Sequence, residues 1–158
     1  MKAYVCIGSN KSAEKMVKFY QSVFKGTKVS KTAYWGKNPM GVRVGSVLTA
    51  HLKILGQKVM LLDGHHDMQF NESMSMIVPC KNQREIDMYW KKLSSGGGKA
   101  ASCGWVVDKF GVRWQIVPHQ FDKWNTTKKA KKKQAMMEAM WKMKKLDMKK
   151  LQAAFDNA

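Results

Sequence analysis

Two groups of residues in this sequence carry side chains equipped for chemistry. His65-His66-Asp67 is the densest run of potential metal ligands or acid-base groups, and Arg113 with Gln115 sets a cation and an amide two positions apart. In an extended strand, i and i+2 neighbours share a face, whereas adjacent histidines point to opposite sides and hold one ion only if the chain turns. His65, His66 and Asp67 are therefore weak metal candidates, with a solvated loop as the plainer account. Arg113 and Gln115, joined by Ser75, have the makings of a small polar pocket in which a guanidinium takes a carboxylate or phosphate in bidentate fashion. His51, on the polar side of an alternating segment, and Trp105 complete the set of ligand-binding candidates. Trp35 and Trp114 are further candidate aromatic walls, and His119 at the edge of the domain ranks behind His51.

The remaining reactive groups read as structural. Cys6, Cys80 and Cys103 have no CxxC or closely spaced Cys/His pattern, and free cysteine behaves as a small hydrophobe. Asp108 precedes Lys109-Phe110-Gly111, where an aspartate usually bonds to the backbone of its own turn. Gly96-Gly97-Gly98 has neither a Walker pattern nor a dinucleotide fingerprint. No Ser/His/Asp constellation is present, and no Gly-rich nucleotide-binding βαβ unit stands ready for a methyl donor.

The formal charge is +18, from 29 lysines and arginines against 11 acidic residues. Such a field attracts polyanions and acidic metabolites. Sequence-specific nucleic-acid readers depend on arginine forks, and the arginines here are only Arg43, Arg84 and Arg113, so nucleic acid is a possible partner but not the favoured one. Apolar runs such as 59–62 are too short to cross a bilayer, and Met1-Lys2 leads into a strand rather than a secretory signal. The expected location is the cytoplasm, with no membrane partner and no cofactor.

The elements that must position these residues are legible from periodicity. Residues 3–8 read as a strand, and Met16, Phe19, Tyr20 and Val23 recur at i, i+3, i+4 and i+7 as the apolar stripe of a helix over 12–24. Strands follow at 28–35, 46–54 and 58–63. The central one alternates, with Leu48, Ala50, Leu52 and Ile54 on one side and Thr49, His51 and Lys53 on the other. A second series follows: a strand at 73–78, then a helix opened by the capping box of Asn82 and Glu85. Its stripe of Ile86, Tyr89, Trp90 and Leu93 lies seventy positions after that of the first helix. The same offset places Ile77 on Ile7. Strands at 99–102, 104–108 and 112–118 close this half. The fold class is therefore α+β, with paired β-α-β-β-β modules over about 1–64 and 73–118 within a domain at 1–120. Residues 121–158 form a basic helical tail. Its lysine run at 126–133, the amphipathic pattern of Met136, Met137, Met140, Trp141 and Lys144, and a final helix capped by Asp147 with Leu146 and Leu151 as staple predict packing on the domain or on a dimer mate.

The chain resembles the glyoxalase/vicinal-oxygen-chelate superfamily, and within it the PhnB-like branch labelled 3-demethylubiquinone 3-methyltransferase. The residues carrying the resemblance are Phe19-Tyr20 with Val23-Phe24, Gly64, Phe70-Asn71-Glu72, Tyr89-Trp90 with Leu93, and Gly97. Cys103-Gly104-Trp105, Asp108-Lys109-Phe110-Gly111 and Trp114-Gln115-Ile116-Val117-Pro118 are the more specific part, and the tail from Ala139 to Asp147 also fits. The resemblance implies curved mixed sheets around a cavity, commonly in a homodimer. It also implies metal ligands at positions that here read Val5, Leu61, Ser75 and Gln115, a set with no imidazole or carboxylate, where only Gln115 keeps a useful oxygen. The leading expectation is thus a protein that binds a small, anionic molecule without the usual metal site. The alternatives are a nucleic-acid or polyanion-binding accessory protein, and a metal-dependent lyase or dioxygenase with an unconventional site at His51, His65 or His66.

Overall fold

The computed structural model describes residues 3–10, 12–64 and 69–158 of the chain. They form two units, 1–69 and 70–158. His65, His66 and Asp67 lie outside the described residues.

In the first unit, β1 (Val5–Ser9), α1 (Ala13–Val23), β2 (Lys28–Tyr34), β3 (Val47–Ile54) and β4 (Gln57–Asp63) follow the expected order. The sheet runs β1-β4-β3-β2, with β1 and β4 parallel and the other pairs antiparallel. The parallel pair requires a crossover, since no tight turn joins parallel strands. α1 buries Ala13, Met16, Tyr20 and Val23 and packs against β3 and β4. Beneath it Ala50, Leu52, Ile54, Val59 and Leu61 are nearly inaccessible. Each large side chain so buried stabilises the fold by roughly 1.5–3 kcal/mol.

The second unit repeats the pattern with β5 (Met76–Cys80), α2 (Gln83–Ser94), β6 (Lys99–Ala100), β7 (Trp105–Val107) and β8 (Arg113–Pro118), in the sheet order β5-β8-β7-β6. Asn82 caps α2 by accepting from the Glu85 amide at 3.0 Å, and the Glu85 carboxylate accepts from the Lys81 amide at 2.7 Å. The fold is α+β as the periodicity predicts, with two four-stranded mixed sheets and five helices among the described residues.

One detail of the repeat differs. The helices recur at the seventy-residue offset, but β1 begins at Val5 and β5 at Met76, one position further. Ile7 therefore corresponds to Val78, and the two isoleucines face opposite ways: Ile7 is 4% exposed and Ile77 59%. A one-residue slip in a period-two element exchanges its faces.

The tail belongs to the second unit. It comprises α3 (Phe121–Asn125), which periodicity does not reveal, α4 (Ala130–Trp141) and α5 (Met148–Asp156). Trp124, Met136, Met140, Leu146 and Leu151 enclose one apolar cluster with Val117 of β8. Backbone bonds of 2.8 Å tie Cys103 to the Met143 carbonyl and Gly104 to that of Lys144. Gln83 of α2 clasps the same segment, donating to the Leu146 carbonyl at 3.1 Å and accepting from the Met148 amide at 2.9 Å.

Gly104 has φ +82, and a Cβ there would stand 2.8 Å from the Ile116 carbonyl oxygen and 3.1 Å from Leu146, whereas Gly26, at φ +80, faces open space. Gly26→Ala should cost about 1 kcal/mol from backbone strain alone, and Gly104→Ala about 2–4 kcal/mol because overpacking is added. Urea unfolding of the two variants measures the difference. Equal losses would show that Gly104 is not a packing constraint.

Candidate functional site

One helix covers one face of each sheet, and strand positions of opposite parity take the other face, which on β8 is closed by the tail helices at Val117. On the second sheet, Trp114 and Ile116 of β8 lie on the covered side, at 1% and 0% exposure, whereas Arg113 and Gln115 lie on the open side. Gln115 pairs with Ile77 of β5 and Trp105 of β7, so these three share that face. The Gln115 Nε2 donates to the Ser75 hydroxyl at 2.8 Å. The structure thus gathers four of the sequence candidates, Ser75, Trp105, Arg113 and Gln115, along one surface. Arg113 contacts Glu72 at 3.3 Å, a partner with no signal in the sequence; its own side chain is 21% exposed and that of Glu72 83%. The buried Arg113 Nε has no hydrogen-bond partner among the described residues.

Trp114 is not an aromatic wall. It fills the core, and its indole donates to Asp108 Oδ2 at 2.9 Å. Asp108 also accepts from the amides of Phe110 and Val112 at 2.9 and 3.1 Å. This buried carboxylate fixes the β7–β8 turn, and through Trp114 it sets the parity that places Arg113 and Gln115 outward.

On the first sheet, His51 takes the open side as its alternation predicts, paired with Met60 of β4 and Lys31 of β2. Tyr4, Ser30, Lys31 and Lys58 join it around an open basin of about 530 Å³. Tyr4, Lys31 and Lys58 give no sequence signal beyond alternation. Val5 and Leu61 belong to the covered side: Leu61 is fully buried and Val5 pairs with buried Val59. The outward positions of β1 and β4 are Cys6, Gly8, Lys58, Met60 and Leu62, none of them a carboxylate or imidazole. On the second sheet, the serine and glutamine at the corresponding positions are already bonded to each other. These residues do not fit an octahedral metal centre, which asks for several anionic or imidazole donors. Among the described residues no three His, Cys, Asp or Glu side chains converge.

The comparisons with known proteins bear on this geometry. The model of the family 3-demethylubiquinone-9 3-methyltransferase matches residues 1–117. The chain belongs to that family. Among solved structures, the PhnB protein from Bacillus cereus is similar at 28% identity and a TM-score of 0.66, covering 75% of this chain and 99% of that one. Protein PA1353 from Pseudomonas aeruginosa matches at 16% identity and TM-score 0.62, over 75% and 97% of the two chains. The fosfomycin resistance protein FosX from Listeria monocytogenes shares the fold at 10% identity and TM-score 0.54, over 78% and 94%. No curated protein matches. Family membership places the chain in the vicinal-oxygen-chelate superfamily, and the three neighbours share its paired-module fold. No helix among the described residues is long and apolar enough to cross a membrane.

The cysteines separate by environment. Burial, and then the nearby Glu85 carboxylate, pushes the Cys80 thiol up to about 12, while partial burial raises that of exposed Cys6 less. Only the thiolate is nucleophilic. At pH 8, iodoacetamide should therefore label Cys6 and spare Cys80 in the folded protein, with Cys80 reacting only after denaturation. Peptide mass spectrometry reads this out, and native labelling of Cys80 at the rate of Cys6 would contradict the burial described.

Proposed function

We propose that the open face of the second sheet binds a small carboxylate- or phosphate-bearing molecule, with Arg113 as the anion anchor, Gln115 and Ser75 as orienting polar groups and Trp105 as an apolar wall. The observation that carries this reading is the state of Arg113. A buried N–H with no acceptor costs about 1–3 kcal/mol, and the one carboxylate on this guanidinium among the described residues is Glu72, a solvated side chain that a ligand oxyanion can displace. Guanidinium presents a planar fork to a planar or tetrahedral anion. Binding of this kind needs no metal, in keeping with a donor set unsuited to one.

Isothermal titration of the full-length protein with a panel of small carboxylates, phosphates and phosphonates tests the proposal. A ligand found in this way should bind Arg113→Gln at least about tenfold more weakly, since charge-assisted bonds to guanidinium are each worth about 1.5–3 kcal/mol. Arg113→Lys should restore only part of the loss, because an ammonium keeps the charge without the fork. Thermal stability should stay near that of the parent, as the Nε contributes no hydrogen bond to the fold. Undiminished affinity in Arg113→Gln, or no binding across the panel, would sink the reading.

A further inference from the structure

Ser30 is an extra residue in β2. Val29 pairs with Leu52 and Lys31 with His51, so two steps along β2 span one step of β3. A β-bulge of this kind re-aims the side chains beyond it. In an unbroken ladder Ser30 would oppose His51, and Lys31 would oppose Ala50 on the side covered by α1. The bulge turns Lys31 instead to the open face beside the imidazole, and the Ser30 hydroxyl meets the His51 carbonyl at 3.4 Å.

The result is a basin of one electrical sign. The strand positions on this face include Lys28, Lys31, Lys53 and Lys58 and no acidic residue. Neither Lys31 nor Lys58 has a carboxylate partner among the described residues. Lys31 rises from the edge strand β2 opposite His51, and Lys58 from β4 opposite Lys53, two strand spacings across and two residues along, or roughly 12 Å away. The Tyr4 ring lies against the imidazole, centroids 5.7 Å apart at 59°, and forms a wall of the same basin.

Separate ammonium groups approaching from different strands suit a tetrahedral oxyanion with several acceptor oxygens better than a planar carboxylate, which pairs best with an arginine fork. The geometry points to a second anion site on the first sheet. There Lys31, Lys58 and His51 hold the phosphoryl or phosphonyl group of a small molecule, and Tyr4 covers its organic part.

Inorganic phosphate, titrated at constant ionic strength into the isotope-labelled full-length protein, should shift the ring resonances of His51, with methylphosphonate doing the same and acetate not. The double variant Lys31→Gln/Lys58→Gln should weaken the response at least about tenfold. Lys91→Gln/Lys133→Gln removes the same charge from exposed helix positions outside the basin and should leave it within about twofold. A silent His51, an unaltered response in the basin variant, or an equal loss in the helix variant would each overturn the site, the last by reducing it to bulk charge. The readout is His51, so the outcome is independent of whether Arg113 binds a carboxylate.

Discussion

Strand parity under a single helix is the constraint on which the candidate chemistry depends. One helix covers one face of each four-stranded sheet, and the apolar residues that pack beneath it decide which way every intervening residue points. Trp114 and Ile116 beneath α2 turn Arg113 and Gln115 outward, and Ala50, Leu52 and Ile54 beneath α1 do the same for His51. The polar residues contribute little to choosing their own orientation. Their placement is a by-product of core packing, reinforced on the second sheet by the bond between Asp108 and the Trp114 indole.

The tail extends this scheme. Cys103, at φ +57, and Gly104 hand their amides to the Met143 and Lys144 carbonyls rather than to a neighbouring strand. The Cys103-Gly104-Trp105 motif is thus a junction: its first two residues hold the tail and its third returns to the sheet. Gln83 serves both the start of α2 and the start of α5, so the helix covering the sheet and the helices closing the cluster share one side chain.

Much of this was legible in the sequence. Alternation in β3, the capping box of α2 and the Asp147 cap of α5 are local patterns, and local patterns survive tertiary context. Arg113, Gln115 and Ser75 were legible as a group because strand spacing alone places the first two together. The resemblance put the inward positions of β1 and β4 at Val5 and Leu61, one residue away from the open face, since parity in a strand tolerates no error while a helix stripe is broad. The bulge at Ser30 left no mark either, because neither Val29-Ser30-Lys31 nor its neighbours contain the glycine that often signals one. Glu72 could not be assigned to Arg113, as a contact across forty-one positions has no periodicity to announce it.

The extra position in the first connection changes how the two helices begin. α2 is closed by Asn82, three residues from the amide it accepts. Ser12 makes no side-chain cap on α1, and its amide donates to Asp63 at 3.1 Å, with Ser9 Oγ on the same carboxylate at 2.9 Å. Asp63 lies at the far end of β4, fifty-one positions on. A contact so distant carries the entropy of closing a long loop before it repays anything. In kinetic terms α2 can nucleate from its own sequence, whereas the start of α1 is secured only when β4 arrives, so two halves of like architecture have unlike routes to it.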